Sequence, residues 1–591
     1  MIPDMELEFK QTAAEKEHLQ KIKSSFTPKQ IEEIIKQTEL LREAQERIDS
    51  PEAKATIPKL TLQDIERENK EYPINILPAT SNFPATILTH PLTSSGILYV
   101  DLLLDYSQID IEDIPYIPIF TRLMMETDTK TYNESQLNDF IGSNTGGLSL
   151  TSYQGYRHQY QKENPSIGIL SNVDEAQFYM MFRSKVVKDK ISTLFPLIEE
   201  ILLTSRLSNQ KRAITLLREF KAYKESAILS NGHSYGATRF GATNSLLGYY
   251  SEITAGLTSV RQASILLKEA EENWESFQLK LEKIRNILIQ NIIQPSSSSA
   301  SGGGGKGGES PRFLINLTGD EDLLTASQPI IQSFVSSIQE KNKKQASTAT
   351  TIPTSSTSMG KGINAQWQEQ KNSLMYPLRN EGFIIPSLVN YVVLGGNLFQ
   401  SNERISGSTA VINHFLSNGY LWDQVRVLGG AYGGFSRFSA LSGRLLFLSY
   451  RDPNLLNTIN IYEQTGEFLK SMEIHSDEIL QSIIGSIGDL DNPLSADQKG
   501  YSSMIQYISN ETKEYRQQWR NDIISTNHQD FQSFIEKLDR FLADHHKKMI
   551  IVFGSQEALE TANKDLPEEK KLVLEPALIS SSAGSTANNN N

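Results

Sequence analysis

The residues to weigh first for chemistry are the nine histidines, His18, His90, His158, His233, His414, His475, His528, His545 and His546. Two His four apart on a helix send both imidazoles from one face and make a zinc pair, but no two here have that spacing. The nearest approach is His475-Ser476-Asp477-Glu478-Ile479, with Ile where a second His is needed. The same residues read as a helix start, with Ser476 as cap and Asp477 and Glu478 in an acidic first turn. His545 and His546 are adjacent, so on a helix they point about 100° apart. No G-x-S-x-G elbow anchors a Ser-His-Asp set. Cysteine is absent, which removes thiol nucleophiles, Cys-ligated zinc, iron–sulfur clusters and disulfides, and fits a reducing compartment.

The densest unusual segment is residues 423–438, DQVRVLGGAYGGFSRF. Gly429, Gly430, Gly433 and Gly434 bracket Tyr432, and Arg426 lies six residues before it. So many glycines cost conformational entropy and mark a backbone that turns sharply or comes close to a partner. Two readings fit: a Gly-rich turn with a packed aromatic, or a pliable loop between a helix and a strand that offers Tyr432 to a ligand. Residues 301–308, by contrast, are Gly-rich without being a phosphate loop, since they lack G-x-x-x-x-G-K-[ST] and no helix start follows Lys306.

The elements that must position these residues follow from periodicity and punctuation. Residues 1–50 read as a helical hairpin, with a capping box at Thr27-Pro28-Lys29-Gln30 and Ile31, Ile34, Ile35 and Leu41 at helical spacing. A first α/β domain spans 51–341, with strands over 95–104, 148–153 and 312–317. Its helices cover 117–125, 135–141, 186–204, 208–229, 257–291 and 326–340. Within it, residues 295–311, PSSSSASGGGGKGGESP, read as a flexible insertion. Residues 342–364 read as a linker. A second α/β domain spans 365–570, with strands over 382–394, 444–450 and 549–553 and helices over 408–416, 455–470, 477–487 and 527–544. The last helix is read as opened by Thr526 and Gln529. Residues 571–591 read as a disordered tail. The fold class is therefore α+β: two related α/β sandwiches preceded by a helical hairpin, the relation resting on pattern and not on residue identity.

Composition narrows the function. The chain has 591 residues with 57 Lys+Arg against 70 Asp+Glu, a net charge of −13. No basic stripe of the kind nucleic-acid coats need is visible, so no nucleic-acid partner is expected. An acidic chamber wall would attract basic peptides by its field. No run of about 18 apolar residues occurs, and no membrane insertion is expected. The start, MIPDMELEFKQ, has neither a basic n-region nor an apolar h-region, so this chain is expected to carry no targeting sequence.

Residues 426–434, with R-x5-Y and GGAYGG, resemble the presequence protease/falcilysin branch of the pitrilysin/insulysin-like zinc metallopeptidases, in its C-terminal half. Further matches lie in order along the chain: the hairpin before Pro51, Thr145-Gly146-Gly147, Ser449-Tyr450-Arg451-Asp452-Pro453-Asn454 and Ser495-Ala496-Asp497-Gln498-Lys499-Gly500. The resemblance covers about residues 10–560. It implies a pitrilysin/LuxS-like metallohydrolase fold, the two domains here being the third and fourth of a four-domain enzyme whose halves close like a clamshell. It implies an ATP-independent zinc metalloendopeptidase that degrades mitochondrial presequences and other short unfolded peptides.

In that family the zinc site is an inverted H-x-x-E-H plus a distal Glu in the first domain, and this chain has no such motif. The resemblance therefore places zinc in an N-terminal catalytic half, in the same polypeptide or a separate chain, and none on this one. Alone, the chain is expected to be inactive as a peptidase. By the same resemblance Arg426 and Tyr432 assist catalysis from the opposite half. The implied compartment is the mitochondrial matrix, with the cytoplasm left open. The alternative reading is an inactive peptidase-like half acting as a peptide-binding or structural partner. Metal analysis of the purified chain is expected to find no stoichiometric zinc; one tightly held zinc per chain would point back to His475 and Glu478.

Overall fold

A computed structural model describes residues 7–577 except 48, 162, 163, 165, 294–309, 349–360, 401, 402 and 545. Most of the expected insertion 295–311, the middle of the expected linker, the tail past 577 and His545 lie outside the described residues. The chain divides into two compact units, Met1–Asp64 and Ile65–Asn591. The first is the hairpin, helices Leu7–Ser25 and Pro28–Glu46. Its turn is set by the expected box: the Thr27 backbone N–H donates to Gln30 Oε1 at 2.9 Å, and the Gln30 N–H returns to Thr27 Oγ1 at 3.4 Å.

The second unit holds two six-stranded sheets. The first contains β1 (Asn75–Leu77), β2 (Thr86–Pro91), β3 (Ile97–Asp105), β4 (Leu148–Gly155), β7 (Gln177–Val187) and β8 (Phe313–Gly319), in the order β1-β2-β8-β3-β7-β4. Strands β5 (Gln159–Tyr160) and β6 (Gly168–Ile169) form a small separate pair. The second sheet contains β9 (Glu381–Ile384), β10 (Tyr391–Asn397), β11 (Gly433–Ser439), β12 (Arg444–Tyr450), β13 (Lys548–Gly554) and β14 (Val573–Pro576), in the order β11-β12-β10-β13-β9-β14.

Read from the opposite edge, the first sheet runs β4-β7-β3-β8-β2, and β11-β12-β10-β13-β9 repeats it strand for strand. One parallel pair occupies the same place in each, β2 with β8 and β9 with β13. Only the sixth strand differs. β1 is added from upstream and antiparallel, β14 from downstream and parallel. The relation expected from pattern is thus a duplication of topology.

Strand alternation gives each sheet two apolar faces. On one face of the first sheet Leu98, Leu102, Phe182 and Ile315 pack with Phe120, Ile198 and Leu288 of its own helices. On the other, Leu88, Leu103, Tyr179, Met181 and Leu314 are covered by Met504 and Ile508, which belong to helix Ala496–Ile508 from the second half of the chain. The exchange is reciprocal. Tyr391, Val393, Leu448, Ile551 and Phe553 of the second sheet pack against Ile228, Tyr235 and Phe240, from helix Gln210–Gly241 in the first half.

Both exchanged helices approach their sheets over glycine. A Cβ on Gly232 would lie 2.6 Å from Tyr391 Cδ2, one on Gly236 2.8 Å from Val393 Cγ2, and one on Gly500 1.8 Å from Thr318 Oγ1. Each contact is also pinned by an arginine with a tyrosine ring under its guanidinium. Arg183 Nε donates to Asp101 Oδ1 at 2.7 Å and its Nη2 to Asp497 Oδ1 at 3.0 Å, with Tyr501 4.1 Å away. Arg239 makes two bonds to Glu381, at 2.7 and 3.0 Å, with Tyr376 4.0 Å away. Charge-assisted, two-point pairs of this kind fix register as well as contact.

Several boundaries differ from expectation. The expected second domain begins at 365, but helix Ile363–Leu374 puts Ile363 and Trp367 in the first sheet's core. Helix Glu321–Thr348 runs past 341. The expected tail begins at 571, yet β14 lies at 573–576, because β9 has a free edge for it to pair with. The helix at 528 is capped by Asn527, not Thr526. At 475 the capping position is His475 itself, whose N–H donates to Glu478 Oε2 at 3.0 Å, and Ser476 is the first helical residue.

Met504→Ala should cost about 2–5 kcal/mol in urea unfolding, in one transition seen by probes on either sheet, because the lost side chain joins the two segments. A second outcome concerns pH. His233 is buried between the rings of Tyr391, Phe435 and Tyr450. Burial, aided by the nearby Arg437 charge, pulls its imidazole from 6.5 down to about 4. The unfolded chain takes up that proton more readily, so the stability His233 contributes is present above pH 6.5 and lost as pH falls through about 4. His233→Gln should remove on the order of 3 kcal/mol of that acid-side loss, read by urea unfolding between pH 4 and 7. A residual slope is expected from His158, which burial also pulls to about 4.

Candidate active-site face around Arg426 and Tyr432

The residues between helix Ser408–Asn418 and β11 do not form an ordinary loop. Trp422–Leu428 winds as a π-helical turn, a form that recurs at functional sites because it re-aims side chains. Its widened turn brings Trp422 and Arg426 together, the guanidinium carbon 4.1 Å from the indole. The chain then doubles back. Gly430, at φ 77°, adopts the left-handed conformation that glycine takes without steric cost. Its N–H donates to Arg426 O at 2.9 Å, and Ala431 N–H to Val425 O at 3.1 Å. Gly434 faces Val425, where a Cβ would lie 2.5 Å from the valine Cβ.

This turn sets Tyr432 beside Arg426, with 5.6 Å between guanidinium and ring. Tyr432 is 64% exposed, so its hydroxyl is open to solvent, while the ring edge rests on Tyr450 at 5.6 Å and 75°. Arg426 has rings for neighbours and no carboxylate within ion-pair distance among the described residues. Its planar donor fork is therefore free for a carbonyl or carboxylate.

The Ser449–Asn454 motif holds this arrangement from beneath. Arg451 takes φ 49°, and its carbonyl accepts the Tyr432 N–H at 3.3 Å. Asn454 Nδ2 donates to Gly429 O at 2.6 Å. Asp452 is buried, accepts from Thr458 Oγ1 at 2.7 Å and Asn454 N–H at 2.9 Å, and exchanges backbone bonds with Asn390. Burial pushes its carboxyl up, against those hydrogen bonds. The motif is thus a support for the loop and contributes no reacting group.

A cavity of about 440 Å³ opens here, lined by Trp422, Arg426, Tyr432 and Tyr450 together with Asn231 and His233. The last two come from the exchanged helix, which breaks at Asn231 (φ −133°, ψ 30°). The expected helical stretch ends at 229 and omits them. The signal for them is the dipeptide Asn231-Gly232, a turn marker inside a helical pattern.

The other histidines are tied up elsewhere. His90 bonds Asn316 Oδ1 at 2.8 Å and Pro73 O at 2.9 Å, and His475 starts a helix. Among the described residues no three His, Asp or Glu side chains converge as a metal-ligand set, so the residues present do not fit a zinc ion.

Two family models match the sequence. One, described as associated with the C subfamily of M16 peptidases, matches residues 1–266, and "PreP C-terminal domain" matches residues 380–556. The chain is 31% identical over 565 residues to presequence protease 1, chloroplastic/mitochondrial, of Arabidopsis thaliana, covering 96% of this chain and 47% of that protein. It is 27% identical over 572 residues to protein HypA of Clostridium perfringens, covering 97% and 52%. It is 24% identical over 549 residues to the mitochondrial presequence protease of Emericella nidulans, covering 93% and 47%. The chain spans about half the length of the curated relatives it matches.

Among solved structures, a peptidase M16 inactive domain from Pseudomonas fluorescens superposes with a TM-score of 0.51 at 11% identity, covering 82% of this chain and 98% of that one. That likeness is one of fold. The chain belongs to the presequence-protease branch of the M16 peptidase family and resembles the C-terminal half of those proteins.

Proposed function

We propose that this chain is the C-terminal half of an ATP-independent zinc metalloendopeptidase that degrades presequences and other short unfolded peptides in the mitochondrial matrix. The N-terminal catalytic half holds the metal, and no step on this chain runs through it. This chain provides one wall of the peptide chamber, with Arg426 and Tyr432 acting on the substrate from that wall.

The observation that carries the reading is the pair itself: an exposed phenol and an arginine without an acid partner among the described residues, side by side at one cavity mouth. Cleaving a peptide bond builds negative charge on the scissile carbonyl oxygen. The Tyr432 O–H, aimed at that oxygen, donates a hydrogen bond that strengthens as the charge grows; one such donor is worth ~2.7–4 kcal/mol in other enzymes. The Arg426 fork holds a neighbouring peptide carbonyl and fixes the strand's position. Both groups meet the peptide when the two halves close, and closure also expels water. Relatives named for mitochondrial presequences support the substrate class and the compartment.

The test joins this chain to an N-terminal half bearing H-x-x-E-H and follows cleavage of an unfolded basic peptide. Tyr432→Phe removes one oxygen and should lower kcat about 10²–10³-fold with little change in KM. Arg426→Ala should lower kcat/KM with weaker binding. Neither should shift the thermal melt, since neither side chain is in the core. A Tyr432→Phe enzyme that cleaves like wild type would leave the chain as a peptide-binding or structural partner.

A further inference from the structure

Two arginines close to this cavity also lack acid partners among the described residues. Arg437 lies on β11, two residues past Phe435, which lines the Arg426/Tyr432 cavity. Arg444 opens β12. Both border a second cavity of about 520 Å³, with Tyr156, Ser234, Thr238 and Ser251. This is the seam of the two segments: Ser234 and Thr238 come from the exchanged helix, and Ser234 follows His233 of the first cavity.

The polar groups here are unusually poorly matched to one another. Arg444 is part-buried, and its one hydrogen bond among the described residues runs from Nε to Ser442 Oγ at 3.0 Å. Its Nη1 fills the space beside Gly241, where a Cβ would lie 2.6 Å away. Arg437 stands at the exposed mouth with only the Phe435 ring as neighbour among the described residues, at 5.2 Å. Burial lowers both guanidinium groups, with no acid opposing the effect.

Tyr156 is 6% exposed, and its hydroxyl faces Ser245 and the Leu247 backbone without a well-formed hydrogen bond to either. The acid whose charge reaches it, Asp174, is already paired with Lys371 and accepts from Trp367 Nε1. Two cations and a phenol thus border one cavity with no anion among the described residues to satisfy them. The chain pairs its structural arginines elsewhere, even though its net charge is −13.

Resting on the peptide reading above, we infer that the cavity bounded by Arg437, Arg444 and Tyr156 is a carboxylate subsite for the same peptide, taking its C-terminal carboxylate or an acidic side chain. Strand spacing puts Arg437 roughly 7 Å from Phe435 and roughly 16 Å from Tyr432 along the chain. A peptide lying along β11 with its reacting carbonyl at Tyr432 places a residue about two to five positions away at the arginines.

The experiment uses this chain alone and three labelled unfolded peptides of about twelve residues in fluorescence anisotropy. One is neutral and C-terminally amidated, one has the same sequence with a free carboxylate, and one is amidated with a single Glu. At least one carboxylate peptide should bind about tenfold more tightly than the neutral one, and which one does so identifies the source. Arg437→Gln with Arg444→Gln should abolish that preference and leave the neutral peptide's affinity unchanged. Arg437→Gln alone, at the exposed mouth, should reduce the preference about threefold and serves if the double variant melts early.

In parallel, acetate in place of chloride at equal ionic strength should raise the wild-type melt by about 1–2 °C and that of the double variant not at all. Acetate protection without any peptide binding keeps the anion site and overturns the peptide as its occupant. Equal affinity for all three peptides with no acetate effect, or a preference that survives both substitutions, overturns the subsite itself.

Discussion

Everything at the candidate site depends on one close approach. Helix Gln210–Gly241 lies flat on the second sheet because Gly232 and Gly236 offer no Cβ to Tyr391 and Val393. A side chain at either position would lift the helix and open a void over Tyr391, Ile551 and Phe553. The helix break at Asn231 lies at the first of these glycines, so one constraint both seats the helix and turns Asn231 and His233 into the cavity. The same logic, with Gly500 over Thr318, seats the reciprocal helix on the first sheet.

Arginine has two distinct uses in this chain. Arg183 and Arg239 are bound by carboxylates and backed by tyrosine rings, and they lock a helix to a sheet. Arg426, Arg437 and Arg444 have no carboxylate among the described residues, and all three border cavities along β11. A buried or half-buried cation without an anion is costly. These three concentrate that cost on one face, the face that carries Tyr432.

Much of this is legible in the sequence, for definite reasons. Strand 444–450 and helix 117–125 can be read directly because their apolar runs are unbroken and turn residues bound them. Arg426 and Tyr432 stand out because four glycines packed around one tyrosine have few structural uses. Strand β7, Gln177–Val187, escapes a reading by pattern because Arg183, Ser184 and Lys185 interrupt its apolar run; Arg183 is there to hold the helix from the other segment. Strand β11 escapes it because GGFSRFS has small residues where an ordinary strand has β-branched ones; Gly434 must admit Val425. The exchange of helices leaves no local mark at all. It is written in pairs of positions far apart in the chain, such as Arg239 with Glu381 and Gly500 with Thr318.

That reciprocity also bears on how the chain is made. The last strand of the first sheet ends at Gly319, yet the residues that cover its outer face, Met504 and Ile508, lie far downstream. The ribosome reaches them roughly 180 residues later, which at about 5–20 residues per second is on the order of ten to forty seconds. Through that interval Leu88, Leu103, Met181 and Leu314 form an apolar sheet face with nothing to lie against. The first half therefore cannot finish folding as it emerges, and its completion waits on the synthesis of its partner segment.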